Sequence, residues 1–354
     1  MTAGRGEGAG RPTMRDVAEL AGVGLKTVSR VVNGEGKVSA ETRARVDAAI
    51  AAVGYRPNEV ARSMAAMRSG RRHVDIGLLV GDLSNPFFAS LAWAVISVVR
   101  DRGYAAVLAS ADEDPDGERD AIEGLLARQV AGLIVVPGAD DYRYLEPELG
   151  RGVPLVFVDR PGDGISADEV VIDNVAGARA AVANLADHGH RRIAAIVPPS
   201  RWTTAQRLEG YFAEMRQRFG DVDESLVVRT ATGGVDAATR AADELLALPD
   251  PPTAFFTATG FMTQGLLRRL GHGHSKAIVG FDDVPMAELL EVPVSVVVGD
   301  PATLGRIAAR ALFARIDGET GAPRRHVLEP VFIPRGSGER PPAVLETRGT
   351  SAVS

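Results

Sequence analysis

Two hydrophobic patterns divide the chain near residue 74. Before it, apolar residues recur at the three- and four-residue spacing of amphipathic helices, as in Val17, Leu20 and Ala21. After it, short continuous apolar runs alternate with helical stretches, which is the pattern of buried parallel strands joined by helices. The sequence therefore predicts a small all-α head followed by a larger α/β body.

Local start and stop signals predict three helices in the head. Thr13 and Asp16 form a capping-box pattern at the start of the first helix, over "MRDVAELAG". A second short helix is predicted over 25–32, after a glycine-containing turn. The third helix is expected to begin at the N-cap Ser39 and to end at Gly54.

Repeated strand and helix signals fill the body. Helices are predicted at 86–102, 116–128, 174–188, 204–218, 236–247, 260–270 and 301–317. The apolar runs between them are "VDIGLLV", "AAVLAS", "GLIVVP", "VPLVFVD", "VVID", "RIAAIVPP", "SLVVR", "TAFFT", "AIVGFDD" and "VSVVVGD". So many strand–helix units predict two doubly wound sheets.

The domain boundaries follow from these patterns and from changes in composition. We expect a disordered glycine-rich tail at 1–12, a helix-turn-helix head at 13–56, and a hinge helix with a linker at 57–73. The body is expected at 74–338, and the polar, proline-rich residues 339–354 are expected to be disordered.

Charge is unevenly distributed between the two parts. Residues 1–72 hold 13 Lys and Arg against 7 Asp and Glu, a net charge of +6. The remainder holds 27 against 39, a net charge of −12. A basic head on an acidic body predicts that the head, and not the body, meets a polyanion.

The first two helices of the head form a helix-turn-helix pattern, whose second helix would enter a DNA major groove. Lys26 and Arg30 are four residues apart and share one face, with Ser29 beside them. An arginine can bind guanine in a bidentate way, while Thr27, Ser29 and Asn33 could bind phosphates. The same segment could be the solvated face of a small helical bundle, but the charge distribution favours DNA.

Other classes of protein are disfavoured by what the sequence lacks. There is no apolar run of membrane-spanning length and no secretory signal, and the absence of cysteine fits a cytoplasmic location. An extracellular binding protein would explain the body but not the head. No "GxSxG" or "GxxxxGK[ST]" motif is present, so an enzyme is not predicted. His272 and His274 have no acidic partner nearby in sequence, and neither a metal nor a cofactor is predicted.

The stretch "TMRDVAELAGVGLKTVSRVVNGEGKVSAETRARVDAAIAAVGYRPNEVARSM" resembles the DNA-binding head and hinge of LacI/GalR-type bacterial transcription regulators. The segments "SNPFF", "VPLVFVDRP", "RLEGY" and "VGFDD" resemble the effector domain of the same family. This resemblance implies a nucleoid-associated homodimer that binds a near-palindromic DNA operator, most often as a repressor, under the control of a small molecule.

By this resemblance, DNA is contacted by the second helix and by a hinge helix after Pro57. Met64 stands where leucine usually wedges into the minor groove, and Met67 is an alternative wedge because "AAM" looks inserted. Gly24 replaces a usual serine N-cap, which costs only a few tenths of a kcal/mol. The expected DNA-contacting residues are Thr13, Arg15, Leu25, Lys26, Thr27, Ser29, Arg30, Asn33, Asn58, Arg62 and Met64.

The body resembles a type I periplasmic-binding-protein fold, which implies two α/β subdomains joined by three crossings of the chain. The first is expected to hold about 74–171 and 297–324, and the second about 172–296 and 325–338. The cleft between two such subdomains is the usual place for a ligand.

The resemblance also implies the residues of this cleft. Phe87 and Phe88 could equally be core residues, and Arg207 could be a structural salt bridge instead of a ligand contact. The expected effector-binding residues are Phe87, Phe88, Asp159, Arg201, Thr203, Arg207, Gly260 and Asp282.

Two departures from the family pattern affect this prediction. Gly260 replaces an aspartate that usually binds the ligand, and the aromatic residue that often stacks on it is replaced near Gly233. We therefore hypothesise that the effector is not a conventional neutral sugar, but is larger, or is an anion held by Arg201 and Arg207. The alternative is a regulator that has lost small-molecule sensing and docks a protein partner.

Overall fold

A computed structural model describes residues 12–32, 38–55, 75–111 and 114–342, and the chain forms two folding units that divide between His73 and Val74. The first unit is helical, as predicted. Its helices are α1 (Met14–Ala21), α2 (Leu25–Val32) and α3 (Ala40–Val53).

Each predicted cap in the head is present. The Thr13 hydroxyl accepts a hydrogen bond from the Asp16 N–H at 3.4 Å, and the Asp16 carboxylate accepts one from the Thr13 N–H at 2.6 Å. The Ser39 hydroxyl accepts from the Thr42 N–H at 3.2 Å and starts α3. Gly54 ends α3 with φ at 65°, a left-handed conformation that favours glycine.

The core of the head joins all three helices through small and branched side chains. Val17, Val28 and Val46 are fully buried in it. The prediction that Leu20 belongs to the buried stripe is wrong, because its side chain is 57% exposed. Helix α1 buries Val17, Ala18 and Ala21, and at 3.6 residues per turn Leu20 lies about 110° from the centre of the face that these three residues form.

The second unit is an α/β body with two subdomains, each built on one sheet. In the described part of the body the strands are β1 (Asp75–Val80), β2 (Ala105–Ser110), β3 (Leu133–Val135), β4 (Leu155–Asp159), β5 (Asp168–Ile172), β6 (Ile193–Val197), β7 (Val227–Arg229), β8 (Ala254–Thr257), β9 (Ala277–Phe281), β10 (Ser295–Val298), β11 (Arg325–Leu328) and β12 (Val331–Ile333). The helices are α4 (Pro86–Asp101), α5 (Pro115–Ala127), α6 (Glu146–Gly150), α7 (Asn174–Asp187), α8 (Trp202–Phe219), α9 (Val235–Leu246), α10 (Gly260–Leu270) and α11 (Pro301–Ile316).

The two sheets have the same strand order, which confirms the predicted pair of doubly wound sheets. The first runs β11-β5-β4-β3-β1-β2 and the second runs β12-β10-β9-β8-β6-β7. Among the described strands, only β12 pairs in an antiparallel manner, with β10. The strands are mostly buried on both faces, as expected for parallel sheets covered by helices.

The third crossing between the subdomains lies later than predicted. We expected 325–338 in the second subdomain, but β11 pairs in parallel with β5 at the edge of the first sheet. The chain crosses only after it, at Glu329 and Pro330, and then adds β12 to the second sheet. Because β11 is short and half exposed, its sequence carries no clear apolar run to mark it as a strand.

The ordered body also extends beyond its predicted end at residue 338. The Glu339 carboxylate accepts hydrogen bonds from the Ser295 hydroxyl and the Gly336 N–H, both at 2.8 Å. The carbonyl of Arg340 is 2.7 Å from Nε2 of the buried His190. These contacts hold 339–342 on the second subdomain, while 343–354 lie outside the described residues. No helix in the described ranges has the length and apolar character needed to cross a membrane.

A buried ion pair attaches α11 and the start of β11 to the first sheet. The Asp168 carboxylate, 1% exposed, accepts two hydrogen bonds from the Arg315 guanidinium at 2.8 Å and one from the Arg324 N–H at 2.7 Å. Burial raises the pKa of Asp168, but the bonds from Arg315 and Arg324 outweigh burial, and the pKa is lowered overall.

Replacing Asp168 by asparagine leaves the Arg315 charge without its carboxylate. We expect Asp168→Asn to lower the free energy of unfolding of the body by about 3 kcal/mol at pH 7, measured by urea denaturation. Because the folded pKa is below the ordinary value of about 3.9, the stabilisation is complete above that value. It is lost as the pH falls through the folded pKa, so the difference between the two proteins should shrink there.

Asp317→Asn is the matched control, because Asp317 pairs with Arg102 at 2.7 Å but is 54% exposed. Asp317→Asn should lower the free energy of unfolding by less than about 1 kcal/mol. If the two variants lose the same free energy of unfolding, the structural role assigned to Asp168 is contradicted.

Candidate DNA interface and effector cleft

The second helix of the head turns one basic face away from the core. Val28 and Val31 are buried, while Lys26 is exposed and Arg30 is half-buried. At 3.6 residues per turn, Lys26 and Arg30 each lie about 160° around the helix from Val28. Neither side chain forms an ion pair or a hydrogen bond with any described residue, so both can meet an anionic surface.

The start of this helix is also open to a partner. The Gly24 carbonyl accepts hydrogen bonds from the N–H groups of Thr27 at 2.8 Å and Val28 at 3.2 Å, so Gly24 begins α2 without a side-chain cap. Leu25 at its first position is 51% exposed. Thr13 and Arg15 are exposed at the start of α1.

Some of the predicted DNA-contacting residues lie outside the described residues. They are Asn33, Asn58, Arg62 and Met64, together with the alternative wedge Met67. The role of the predicted hinge helix therefore stays a prediction.

In the body, the carboxyl ends of the strands of both sheets border one cleft of about 340 Å³ between the subdomains. This is the place where doubly wound folds bind ligands. The first subdomain contributes Asp82, Asn85, Phe87, Phe88, Asp159 and Arg160. The second contributes Pro198, Pro199, Arg201, Thr203, Thr204, Arg207, Gly233, Gly234, Thr259, Phe261 and Asp282.

Two aspartates occupy equivalent positions at the ends of equivalent strands. Asp159 ends β4 of the first sheet, and Asp282 follows β9 of the second. Both have left-handed backbones, with φ at 72° and 66°, which is uncommon for residues other than glycine. Such strain is often found at ligand sites, and here it turns one carboxylate from each subdomain towards the same cleft.

Arg207 of α8 is held rigidly in the cleft wall. Its side chain is 4% exposed, and Nη1 donates to the Ala258 carbonyl at 2.8 Å and to Asp282 Oδ2 at 2.9 Å. Its Nε donates to Asn174 Oδ1 at 2.8 Å, and its guanidinium lies 3.7 Å from the centre of the Phe281 ring. Arg207 is therefore both an ion-pair partner and a cleft residue, so the two predicted alternatives are not exclusive.

The two carboxylate oxygens of Asp282 differ in their hydrogen bonding. Oδ1 is buried and has no hydrogen-bond partner among the described residues, although Oδ2 is bound by Arg207. A buried acceptor without a partner costs free energy, which a donor on a ligand would restore. Asp282 Oδ1 is therefore the strongest candidate for a direct ligand contact.

Seven of the eight predicted effector residues line the cleft, and Gly260 does not. A Cβ atom at Gly260 would make ordinary van der Waals contacts with the Asp283 carbonyl, 3.5 Å away, and the Val284 side chain, 3.9 Å away. Its neighbours Thr259 and Phe261 line the cleft instead. Gly260 has no side chain to present to the cleft, and its role in effector binding stays a prediction.

Sequence reasoning missed several lining residues that share one signal. Each ends a predicted apolar run or follows one within about five residues: Asp82, Asn85, Arg160, Pro198, Pro199, Gly234 and Thr259. Because the carboxyl ends of parallel strands meet at one edge of a sheet, this position along the chain was enough to identify them. Thr204 and Phe261 lie one to two residues inside helices, where no sequence signal distinguishes them.

Comparison with known proteins agrees with this architecture. Residues 13–58 match the description "Bacterial regulatory proteins, lacI family", and residues 182–338 match "Periplasmic binding protein-like domain". The HTH-type transcriptional regulator CelR of Thermobifida fusca is 36% identical over 343 residues, covering 93% of this chain and 98% of the relative. The chain belongs to the LacI family.

Further relatives extend the match over both units. The ribose operon repressor of Escherichia coli strain K12 is 33% identical over 337 residues, covering 92% of this chain and 99% of the repressor. The solved complex of CelR with cellobiose has a TM-score of 0.67 and 34% identity, over 92% of this chain and all of the other. The Lac repressor dimer bound to operator has a TM-score of 0.78 and 26% identity, and the match covers 93% of this chain and 99% of the repressor chain.

These relatives are transcriptional regulators and not enzymes, and this LacI-family chain is a DNA-binding transcriptional regulator, as predicted. Its head supplies the helix-turn-helix, and its body has the fold expected from the resemblance.

The prediction that Arg30 contacts a base, and not a phosphate, can be tested by the sequence preference of the protein. We expect Arg30→Ala to cost about 1–3 kcal/mol on the preferred operator and to relax the preference at one base pair of each half-site. Selection of bound sequences from a random DNA library by the full-length protein measures both effects.

Arg128→Ala makes the same charge change at an exposed site in the body and should leave DNA binding unchanged. If Arg30→Ala weakens all sequences evenly, then Arg30 contacts phosphate and the base contact is assigned to the wrong side chain.

Proposed function

We propose that this LacI-family regulator binds a near-palindromic operator as a homodimer, as a repressor, and that a neutral, hydroxyl-rich small molecule in the cleft alters this binding. The observation that carries the effector class is the pairing of charges in the cleft, with one buried aspartate oxygen, Oδ1 of Asp282, left without a hydrogen-bond partner among the described residues. The DNA contacts proposed are those of the exposed basic face of α2.

The charges of the cleft are balanced. Three aspartates and three arginines are among the described lining residues: Asp82, Asp159, Asp282, Arg160, Arg201 and Arg207. Arg207 is 2.9 Å from Asp282 and Arg160 is 3.4 Å from Asp159. An anion would have to compete with these carboxylates for the arginines, whereas hydroxyl groups can donate to the carboxylates without breaking the pairs. This argues against the anion hypothesised from the sequence.

Apolar surface completes the fit to a saccharide. Phe87, Phe88 and Phe261 line the cleft together with Pro198 and Pro199. A sugar ring presents hydroxyl groups at its edge and C–H groups on its faces, so it needs both kinds of wall. The similarity to CelR, which has been solved with cellobiose, and to the ribose operon repressor supports the same class of effector.

A homodimer is supported by exposed apolar side chains on the body. Met286 is 69% exposed, Leu289 72% and Leu290 39%, all within one loop of the second subdomain. In the first subdomain, Trp93 of α4 is 64% exposed. Clustered exposed apolar groups mark interaction surfaces, and two copies bring two recognition helices to two half-sites.

A body that senses no small molecule and docks a protein partner is not favoured. That hypothesis rested on the loss of a carboxylate at Gly260 and of a stacking aromatic residue near Gly233, but other groups of both kinds line the cleft. Carboxylates are present there from Asp159 and Asp282.

Removing the charge of Asp282 tests the effector site. A saccharide that stabilises the wild type by about 2.7 kcal/mol at 100 times its Kd should give little stabilisation of Asp282→Asn in a thermal-shift titration. The reason is the loss of the carboxylate acceptor at Oδ1. Binding to operator without effector should remain, because the head is unchanged.

Asp283→Asn is the matched control. Asp283 is the next residue, but it pairs with Arg335 at 2.6 Å and does not line the cleft. If both variants respond to saccharides as the wild type does, the effector is not bound by Asp282.

Charge placed in the exposed apolar loop tests the dimer. We expect Leu289→Asp to shift the protein from dimer to monomer in sedimentation-velocity runs, because a carboxylate would be buried at the interface. Val327→Asp is the control, since Val327 is 55% exposed on β11, outside the loop. A wild type that sediments as a monomer at micromolar concentration would contradict the proposal.

A further inference from the structure

The turn between α1 and α2 sets the direction in which α2 leaves the first helix of the head. It consists of Gly22, Val23 and Gly24. Glycine loses more conformational freedom on folding than any other residue, so a turn with two glycines is costly to hold in one conformation. Gly22 has a left-handed backbone with φ at 62°, and Gly24 has no side chain with which to cap α2. Contacts from outside the turn would therefore narrow its range of conformations.

Arg45 of α3 makes such a contact. Its Nη2 donates to the Ala21 carbonyl at 2.6 Å and to the Gly22 carbonyl at 3.4 Å, where α1 ends. Helix α1 has no basic residue in its last turn, so Arg45 also supplies the positive charge that stabilises the carbonyl end of a helix. The bond to Ala21 joins residues 24 positions apart, whereas the caps at Thr13 and Ser39 join residues three positions apart.

The guanidinium of Arg45 lies directly against the turn. A Cβ atom at Gly22 would be 3.0 Å from Arg45 Nη2, which is closer than ordinary van der Waals contact. Arg45 is nevertheless exposed, while Val17, Val28 and Val46 fill the core of the head. Its hydrogen bonds therefore hold the turn without being part of the apolar core that stabilises the head.

We propose that Arg45 is a positioning residue for DNA recognition. By binding the carbonyls of Ala21 and Gly22, it fixes the turn and with it the direction of α2, which carries Lys26 and Arg30. This inference rests on the proposed DNA contacts of α2 and adds the residue that orients them. Hydrogen bonds to a base edge need donor–acceptor distances of about 3 Å, whereas attraction to phosphates tolerates a small rotation of the helix. Loss of Arg45 thus weakens binding to the preferred operator more than binding to other DNA.

The test is a fluorescence-anisotropy titration of full-length Arg45→Met with two duplexes of equal length, at several salt concentrations. One is the operator that the wild type selects, and the other has a random sequence. Methionine keeps an unbranched side chain but removes the donors and the charge. We expect the affinity for the operator to fall about tenfold, and the affinity for the random duplex to change by less than about twofold. The slope of log affinity against log salt concentration should stay the same.

Arg45→Lys keeps the charge and a donor, so its affinity for the operator should stay within about threefold of the wild type. Arg43→Met is the matched control, because it removes the same charge from the same helix. The Arg43 side chain forms no ion pair or hydrogen bond with any residue in the described ranges. This control should keep the ratio of the two affinities.

Three results would overturn the inference. In the first, Arg45→Met weakens both duplexes equally and lowers the salt slope by about one, so that Arg45 contacts phosphate. In the second, Arg45→Met changes neither affinity. In the third, limited proteolysis shows that the head of Arg45→Met has unfolded, so that Arg45 is needed for folding.

Arg30→Ala in the same titration separates this inference from the proposed DNA contacts. If Arg30→Ala leaves the ratio of the two affinities unchanged, the proposed base contact fails, and this inference fails with it. If Arg30→Ala lowers the ratio and Arg45→Met does not, only the positioning role of Arg45 fails.

Discussion

The buried charge of Arg207 is the constraint on which the second subdomain's side of the cleft depends. A guanidinium that is only 4% exposed must be neutralised where it stands, because burying it alone would cost several kcal/mol. Asp282, Asn174 and the Ala258 carbonyl do this. They follow three different strands, so a single side chain fixes the relative positions of segments that are far apart in sequence.

The positions of Asp159 and Asp282 connect ligand binding to the relative arrangement of the two subdomains. Asp159 belongs to the first sheet and Asp282 to the second, and only the three crossings of the chain join the sheets covalently. A further contact spans the subdomains where the Arg325 guanidinium lies 5.7 Å from the centre of the Trp202 ring. A ligand that binds both aspartates favours the arrangement in which they are close, which is how it can shift an equilibrium between states.

Much of the fold was predictable because its signals are local. The ten apolar runs each became a strand, and Thr13, Asp16 and Ser39 cap helices as predicted, since capping depends on residues three positions apart. The failures come from tertiary packing. The segment of β11 forms a strand because it pairs with β5 at the edge of the first sheet. Leu20 has the right spacing for burial, but the other helices pack against a neighbouring face of α1.

The sequence by itself determined the class of fold, the basic face of α2 and the family, because periodicity, charge and motifs are properties of neighbouring residues. It also identified Arg207 and Asp282 as cleft residues through their resemblance to the family. Only the tertiary structure decided that these two charges satisfy each other and that Asp159, from the other sheet, lines the same cleft. Those facts depend on distances between segments many residues apart, and hydrophobic periodicity carries no information about such distances.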